Sequence, residues 1–270
     1  MTADCAAVVL AAGAGTRMGG DLPKPLHPVA GRAMVLRVLD ALAGVEADPV
    51  VIVVGHGAAQ VSDAVRAGAP RPERLVFATQ HAQRGTGDAA RVGLAALTQQ
   101  RQHSQIDDVL VLPGDAPLLR PETLRQVVTQ RRRCDAAASV LTAQLADPAG
   151  YGRIVRTDGP IRIVEQRDAS PSQRRIREVN AGVYCFGLEP LRRALRALSP
   201  ANAQAEHYLT EAIGMLAHRG EKIAAVAAAD PAEALGANDA DQLAACEAAL
   251  AARTVLTCRH RQSPSELRLV

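Results

Sequence analysis

Residues 6–34 read AAVVLAAGAGTRMGGDLPKPLHPVAGRAM. The opening run, Ala6 to Leu10, is uninterrupted apolar sequence of the kind that suits a parallel strand buried on both faces. A glycine-rich turn follows it directly. Small residues there let the backbone approach a ligand closely and leave N–H groups free for an anion. Arg17 and Lys24 flank the turn in a stretch too poor in apolar residues to be core. Lys24 stands between Pro23 and Pro25, which restrict the backbone and can aim the ammonium. A dinucleotide fingerprint fits poorly, because the third glycine is Gly19, one place late, and the second strand ends in Gly55-His56-Gly57 without an acid for a ribose. A Walker loop, GxxxxGK followed by Ser or Thr, is absent. A plain tight turn leaves the two cations unexplained; a triphosphate cradle uses both.

Working outward, further apolar runs stand at Val50 to Val54, Leu75 to Ala78 and Val109 to Leu112. Between and after them, helical spacing marks 33–43, 59–67, 87–98 and 121–132, the last opening on Pro121. Strands alternating with helices predict an α/β fold around a parallel sheet. After residue 145 a loop over Asp147 to Gly152 leads to shorter strand-like runs at 153–156, 161–165 and 179–186. Helices are expected near 189–198, 208–218 and 239–252, with a strand at 223–227. We expect a unit over 1–253, divided near 145 into a nucleotide-binding half and a second half over 146–253. The stretch 254–270 lacks periodicity and reads as a loosely held tail.

Composition narrows the function. At 270 residues with 48% hydrophobic and 22% charged side chains, the chain is globular and long enough for a full core. A net charge of +3 is too small for a nucleic-acid groove, and 2% aromatics argue against a base-stacking platform. No apolar run approaches the ~18–20 residues of a membrane span. Five scattered cysteines, Cys5, Cys134, Cys185, Cys246 and Cys258, suit neither a zinc knuckle nor a disulfide framework, and a reducing cytoplasm is the simplest compartment.

Seven blocks in order then carry a resemblance: LAAGAGTRMGGDLPKPLHPVAGRAM from Leu10, QHAQRGTGDA from Gln80, VLPGDAPLL from Val111, DPAGYGRIVR from Asp147, IVEQRDASPSQRRIREVNAGVY from Ile163, NAQAEHYLTEAI from Asn202, and the looser LGAND from Leu235. Together they resemble the sugar-phosphate nucleotidylyltransferases, most closely the uridylyltransferase domain of bacterial bifunctional uridylyltransferase/acetyltransferases. The resemblance implies a Rossmann-like, mixed but mainly parallel sheet flanked by helices, with a sugar-binding second half. It implies transfer of UMP from UTP to a sugar 1-phosphate, N-acetylglucosamine 1-phosphate first, by in-line attack with release of pyrophosphate. No protein nucleophile is required, so positioning and charge neutralisation carry the rate.

By the same resemblance, Arg17 and Lys24 stabilise the triphosphate, and Asp115 with Asn238 holds Mg²⁺. A carboxylate and a carboxamide carbonyl are hard oxygen donors suited to that ion. Leu10, Ala11, Ala12, Gly13, Gln80, Gly85 and Thr86 would recognise the uracil, with Gly114 beside Asp115. Taken alone, Asp115 reads as a turn or cap aspartate and Gln80 as a surface glutamine at a strand end. A carboxamide offers both donor and acceptor, as the uracil edge does. Gly152, Glu165 and Asn180 match the sugar-binding positions. Tyr208 and Thr210 wall the pocket or belong to the core, and Arg174, Arg175 and Arg177 read as a solvated face.

Three departures stand out. Residue 113 is Pro where a hydroxylated residue is common, and Asp239 replaces a second Asn after Asn238. No hexapeptide β-helix repeat follows residue 250, so acetyl transfer and the β-helix trimer are not expected. Another sugar 1-phosphate or nucleotide with the same chemistry, or a non-catalytic nucleotide-sugar binder, remains as an alternative.

Overall fold

The computed structural model describes residues 4–99, 106–156 and 159–262. In chain order the elements are β1 (Asp4–Ala11), β2 (Pro28–Val29), β3 (Arg32–Ala33), α1 (Met34–Ala43), β4 (Val50–Val54), α2 (Ala58–Gly68), β5 (Leu75–Thr79) and α3 (Thr86–Gln99). Then come β6 (Ile106–Pro113), α4 (Pro121–Arg133), β7 (Ala138–Gln144), β8 (Arg153–Val155), β9 (Arg162–Val164), α5 (Pro171–Arg174) and β10 (Glu178–Gly187). The chain continues through α6 (Leu188–Ala197), α7 (Leu209–His218), β11 (Ile223–Ala227) and α8 (Ala240–Gln262).

The main sheet runs β11-β7-β10-β6-β1-β4-β5, with β8 paired to β10 and β9 to β8. Strands β6, β1, β4 and β5 are mutually parallel, as the continuous apolar runs predict. Strand β10 is antiparallel to both β6 and β7, so the sheet is mixed. Alternate residues of each strand feed two cores. Val9, Ile52, Val54 and Leu112 pack with α1, α2 and α4 on one face. Val8, Val51, Val53 and Val111 pack with α3, α6 and α7 on the other. Helix α8 adds a third cluster around Met34, Leu118 and Cys246.

The expected elements appear with most bounds shifted by a residue or two; β6 starts three residues earlier than its apolar run, at Ile106. Two differences are larger. Strand β7 was not anticipated: its sequence ASVLTAQ mixes Ala, Ser and Thr with few large apolar side chains, yet six of its seven residues are buried. The stretch from 254, read as a tail, is helical as far as Gln262, where it continues the Ala-rich helix that starts at Ala240, since adding residues to a formed helix costs less than starting one. Residues 263–270 lie outside the described ones.

The topology positions a crevice. From β1 the chain builds outward through β4 to β5, then crosses back to place β6 on the other side of β1. At such a reversal the loops leaving adjacent parallel strands diverge, and ligands bind at the carboxyl ends there. In register, Leu10 of β1 lies opposite Pro113 of β6 and Ala11 opposite Val54 of β4. The glycine turn and the Pro113-Gly114-Asp115 segment therefore leave the sheet side by side.

Candidate active site

An open cavity of about 360 Å³ sits over these strand ends. Its wall holds Leu10, Ala11, Ala12, Gly13, Lys24, Gln80, Gly85, Thr86, Asp115 and Asn238, all expected from the sequence, together with Pro25, Gln83, Ala89, Pro113 and Glu206. Gly114 lies beneath the wall and donates its N–H to the Leu10 carbonyl at 2.9 Å.

Lys24 is the centre of charge. Its side chain is 13% exposed and its ammonium contacts an Asp115 carboxylate oxygen. It also donates to Asn238 Oδ1 at 2.6 Å. The glycine turn sets this position: Gly15 adopts φ +63, and its Cα is packed against the Lys24 side chain so closely that a Cβ there would collide. Pro23 and Pro25 frame a single 3₁₀ turn, Lys24–Leu26, with Pro25 buried. Asn238 is aimed from the far side. Its amide nitrogen donates to Gln242 Oε1 at 2.9 Å, and its backbone N–H donates to the same oxygen at 2.8 Å. That leaves the Asn238 carbonyl oxygen directed at Lys24. The Ala237 N–H donates to the Asp115 carbonyl at 3.2 Å, which ties the two segments together.

Asp115 and Asn238 thus share one cation, the Lys24 ammonium. Two hard oxygen donors facing a positive charge are the donor set Mg²⁺ takes when phosphate oxygens and water complete its shell. Among the described residues no group of three or more His, Cys, Asp or Glu gathers into a self-sufficient metal site. The residues present therefore fit an ion bound jointly with a phosphate ligand.

Gln80 is buried, not a surface residue, and its amide is taken by Asp88 and the Gly85 carbonyl. Gln83, which sequence reasoning passed over, donates to the Ala12 carbonyl at 3.2 Å and closes the wall over the glycine turn. Thr86 lines the cavity, but its hydroxyl accepts the Leu209 N–H at 3.0 Å and so anchors α7. Gly85 has φ +100, and a Cβ there would lie 2.6 Å from the His207 carbonyl oxygen. That carbonyl is pinned by the Gly87 N–H at 2.7 Å and cannot retreat. Gly85→Ala is expected to cost about 1–3 kcal/mol through forced left-handed strain, visible as a lower melting temperature.

Arg17 is the expected residue that the structure does not bring to the others. It is exposed on the glycine turn and is not part of the cavity wall. The turn that carries it is rich in glycine, and no local sequence pattern fixes where the guanidinium points.

The sugar-half residues form a separate cluster on β8, β9 and β10. The Asn180 N–H donates to the Gly152 carbonyl at 2.9 Å, and a Cβ on Gly152 would lie 3.5 Å from a Glu165 carboxylate oxygen. Thr210 donates to Glu165 at 2.9 Å. The Asn180 amide is engaged internally, donating to the Tyr184 hydroxyl at 2.6 Å and accepting the Gly182 N–H at 3.1 Å. Gly182 in turn abuts Pro113 of the cavity wall, a Cβ there lying 3.5 Å away, so the cluster adjoins the cavity. Tyr208 is buried, with its hydroxyl bound by Gln204 at 2.6 Å. Arg174, Arg175 and Arg177 are exposed. Arg153, which the sequence did not single out, is fully buried and ties Gln166 and the Arg174 carbonyl to β8.

Burial raises the Glu165 carboxyl above its ordinary value, and the Thr210 hydroxyl offsets only part of that. A raised carboxyl means the charged form is penalised in the folded state. The penalty is complete above the folded value and vanishes below the unfolded value near 4.5. Glu165→Gln keeps the acceptor for Thr210, so it is expected to raise the melting temperature at pH 7, with the gain disappearing below pH 4.5. Thermal melts across that range check the sign.

Comparison with known proteins comes down on the same side as the geometry. The model of the MobA-like NTP transferase domain matches residues 7–262. The chain is 45% identical over 244 residues to Bifunctional protein GlmU of Brevibacillus brevis, covering 90% of this chain and 50% of that protein. It is 47% identical over 255 residues to Bifunctional protein GlmU of Mycolicibacterium gilvum, covering 93% and 50%. The chain thus spans about half the length of the curated relatives it matches. A crystal structure of UDP-glucose pyrophosphorylase complexed with UDP-glucose superposes with a TM-score of 0.71 at 16% identity, covering 93% of this chain and 99% of that one, which shows a shared fold. A family model matched over nearly the whole sheet, on a chain whose glycine turn, Lys24 and Asp115 meet at the strand ends, places this protein in the MobA-like NTP transferase domain family.

Proposed function

We propose that the chain is a nucleotidylyltransferase that moves UMP from UTP to a sugar 1-phosphate, N-acetylglucosamine 1-phosphate first. A phosphate oxygen of the sugar attacks the α-phosphorus of UTP. The bond from that phosphorus to the bridging oxygen breaks, and pyrophosphate leaves with the electron pair. The observation that carries the reading is the meeting of Lys24, Asp115 and Asn238 in a cavity beneath a glycine turn. Support from relatives is their shared name, GlmU, and the identity to them.

Within this proposal the glycine turn, with Leu10 to Gly13, lines the nucleotide side, and Gln80 and Gly85 face the base. Lys24 neutralises phosphate charge that grows as the leaving group departs. Asp115 and the Asn238 carbonyl are the groups that would hold Mg²⁺, which when bound screens the triphosphate and favours the leaving pyrophosphate. Gly152, Glu165 and Asn180 would receive the sugar, Glu165 accepting from hydroxyls. Arg17, on the glycine turn beside the cavity, is the second cation assigned to the phosphates. Arg17→Ala is expected to lower turnover by about 10²-fold, read as the rate of pyrophosphate release.

Another sugar 1-phosphate with the same chemistry has one observation in its favour: Tyr184 and Gly182 already take one N–H and one acceptor site of the Asn180 amide, which narrows what it offers a sugar group. The test is pyrophosphate release with UTP and Mg²⁺ against N-acetylglucosamine, galactosamine and glucose 1-phosphates. Turnover with the first supports the proposal, and turnover with another moves the sugar assignment. Tight UDP-sugar binding with no pyrophosphate from any pair makes the protein a nucleotide-sugar binder instead. We place it in a reducing cytoplasm on its unpaired Cys5, Cys134, Cys185 and Cys246. No helix among the described residues is long and apolar enough to cross a membrane.

A further inference from the structure

Gln80 faces the cavity, yet both hydrogens of its carboxamide are spoken for. The amide nitrogen donates to Asp88 Oδ2 at 2.9 Å and to the Gly85 carbonyl at 3.3 Å. Both partners are acceptors and nothing else. Turning the amide over would press Gln80 Oε1 against a carboxylate and a carbonyl and strand its two N–H groups. Hydrogen-bond chemistry therefore fixes the orientation, and the carboxamide oxygen is what Gln80 has left to offer a ligand.

Asp88 is itself held in place. Its side chain is 15% exposed, and Arg91 Nη1 lies 3.4 Å from its other oxygen. Arg91 Nη2 donates to the Leu195 carbonyl on α6 at 3.0 Å. Asp88 also occupies the first turn of α3, where the helix end favours negative charge. A connected path thus runs from α6 through Arg91 and Asp88 to Gln80 at the cavity.

We infer that Asp88 is a positioning residue for base selection: by occupying the Gln80 amide it leaves an acceptor facing the base. An acceptor there suits the N–H at N3 of a uracil-type base and opposes the bare N3 of cytosine. This rests on the reading of the cavity as a UTP site. A purely structural role, an acid at a helix start, would lower stability without distinguishing the two bases.

The test compares UTP with CTP, by calorimetric binding and by kcat/KM, in the full chain and in Asp88→Ala and Asp88→Asn. In Asp88→Ala the Gln80 amide keeps only its 3.3 Å contact to the Gly85 carbonyl, its orientation is less firmly held, and the preference for UTP is expected to fall by about tenfold or more. Asp88→Asn still presents a carbonyl to the Gln80 amide and is expected to keep most of the preference. The inference is overturned if Asp88→Ala keeps the wild-type ratio while only its melting temperature drops. It is equally overturned if the alanine and asparagine variants lose the ratio alike. A wild-type protein that does not prefer UTP over CTP overturns the functional reading as well, which separates the two failures.

Discussion

Lys24→Ala is expected to reduce turnover by about 10²–10³-fold, the cost of removing one preorganised charge from a phosphoryl-transfer site. The side chain is only 13% exposed, and its ammonium stands between the Asp115 carboxylate and the Asn238 carbonyl. Without it, those two oxygens face each other with no cation between them in the nucleotide-free protein. Arginine is a poor replacement. The Lys24 stem lies flat against Gly15, and a planar fork needs space that the paired prolines and the glycine deny it. Pyrophosphate release by Lys24→Ala and Lys24→Arg measures the effect, and a melt of each variant shows that the fold persists. Turnover within a few-fold of wild type in Lys24→Ala would remove Lys24 from the chemistry.

The largest effect on stability is expected far from the cavity. Asp108, at the opposite end of β6 from Asp115, is completely buried, and its two carboxylate oxygens face Arg131 and Arg132. Both arginines sit in the last turn of α4, where the helix end favours cations. Burial, and then the Asp108 charge, raises the Cys5 thiol next to this group to about 12, so the thiol stays neutral. Removing the carboxylate takes away the buried anion that both guanidinium groups share. Breaking a buried pair by deleting one partner costs about 3–5 kcal/mol. Arg132 is 37% exposed and partly screened by water, so the lower end applies and Arg131, at 15%, accounts for most of it. Asp108→Ala should therefore melt roughly 6–10 °C lower, while the activity per folded molecule stays at the wild-type level. Unchanged melting would mean that the two arginines find water instead.

What the sequence determined by itself was local. Val50 to Val54 and Val109 to Leu112 are runs of side chains that shun water on both faces, so they had to be interior strands wherever they paired. The glycine turn after Leu10, Lys24 between two prolines and Asp115 after β6 were legible because each carries its constraint within a few residues. Strand β7 escaped because ASVLTAQ shows no strong contrast between apolar and polar positions, and its burial comes from β10 and β11 on either side. Only the tertiary structure decided that β10 enters the sheet antiparallel between β6 and β7, that Asn238 reaches Lys24 under the hold of Gln242, and that Asp88 takes the Gln80 amide. It also left Arg17 outside the wall and turned the Asn180 amide inward. Short-range pattern records which side chains must leave water. Which polar group meets which is settled later, when packing brings distant segments together and each buried donor must find an acceptor.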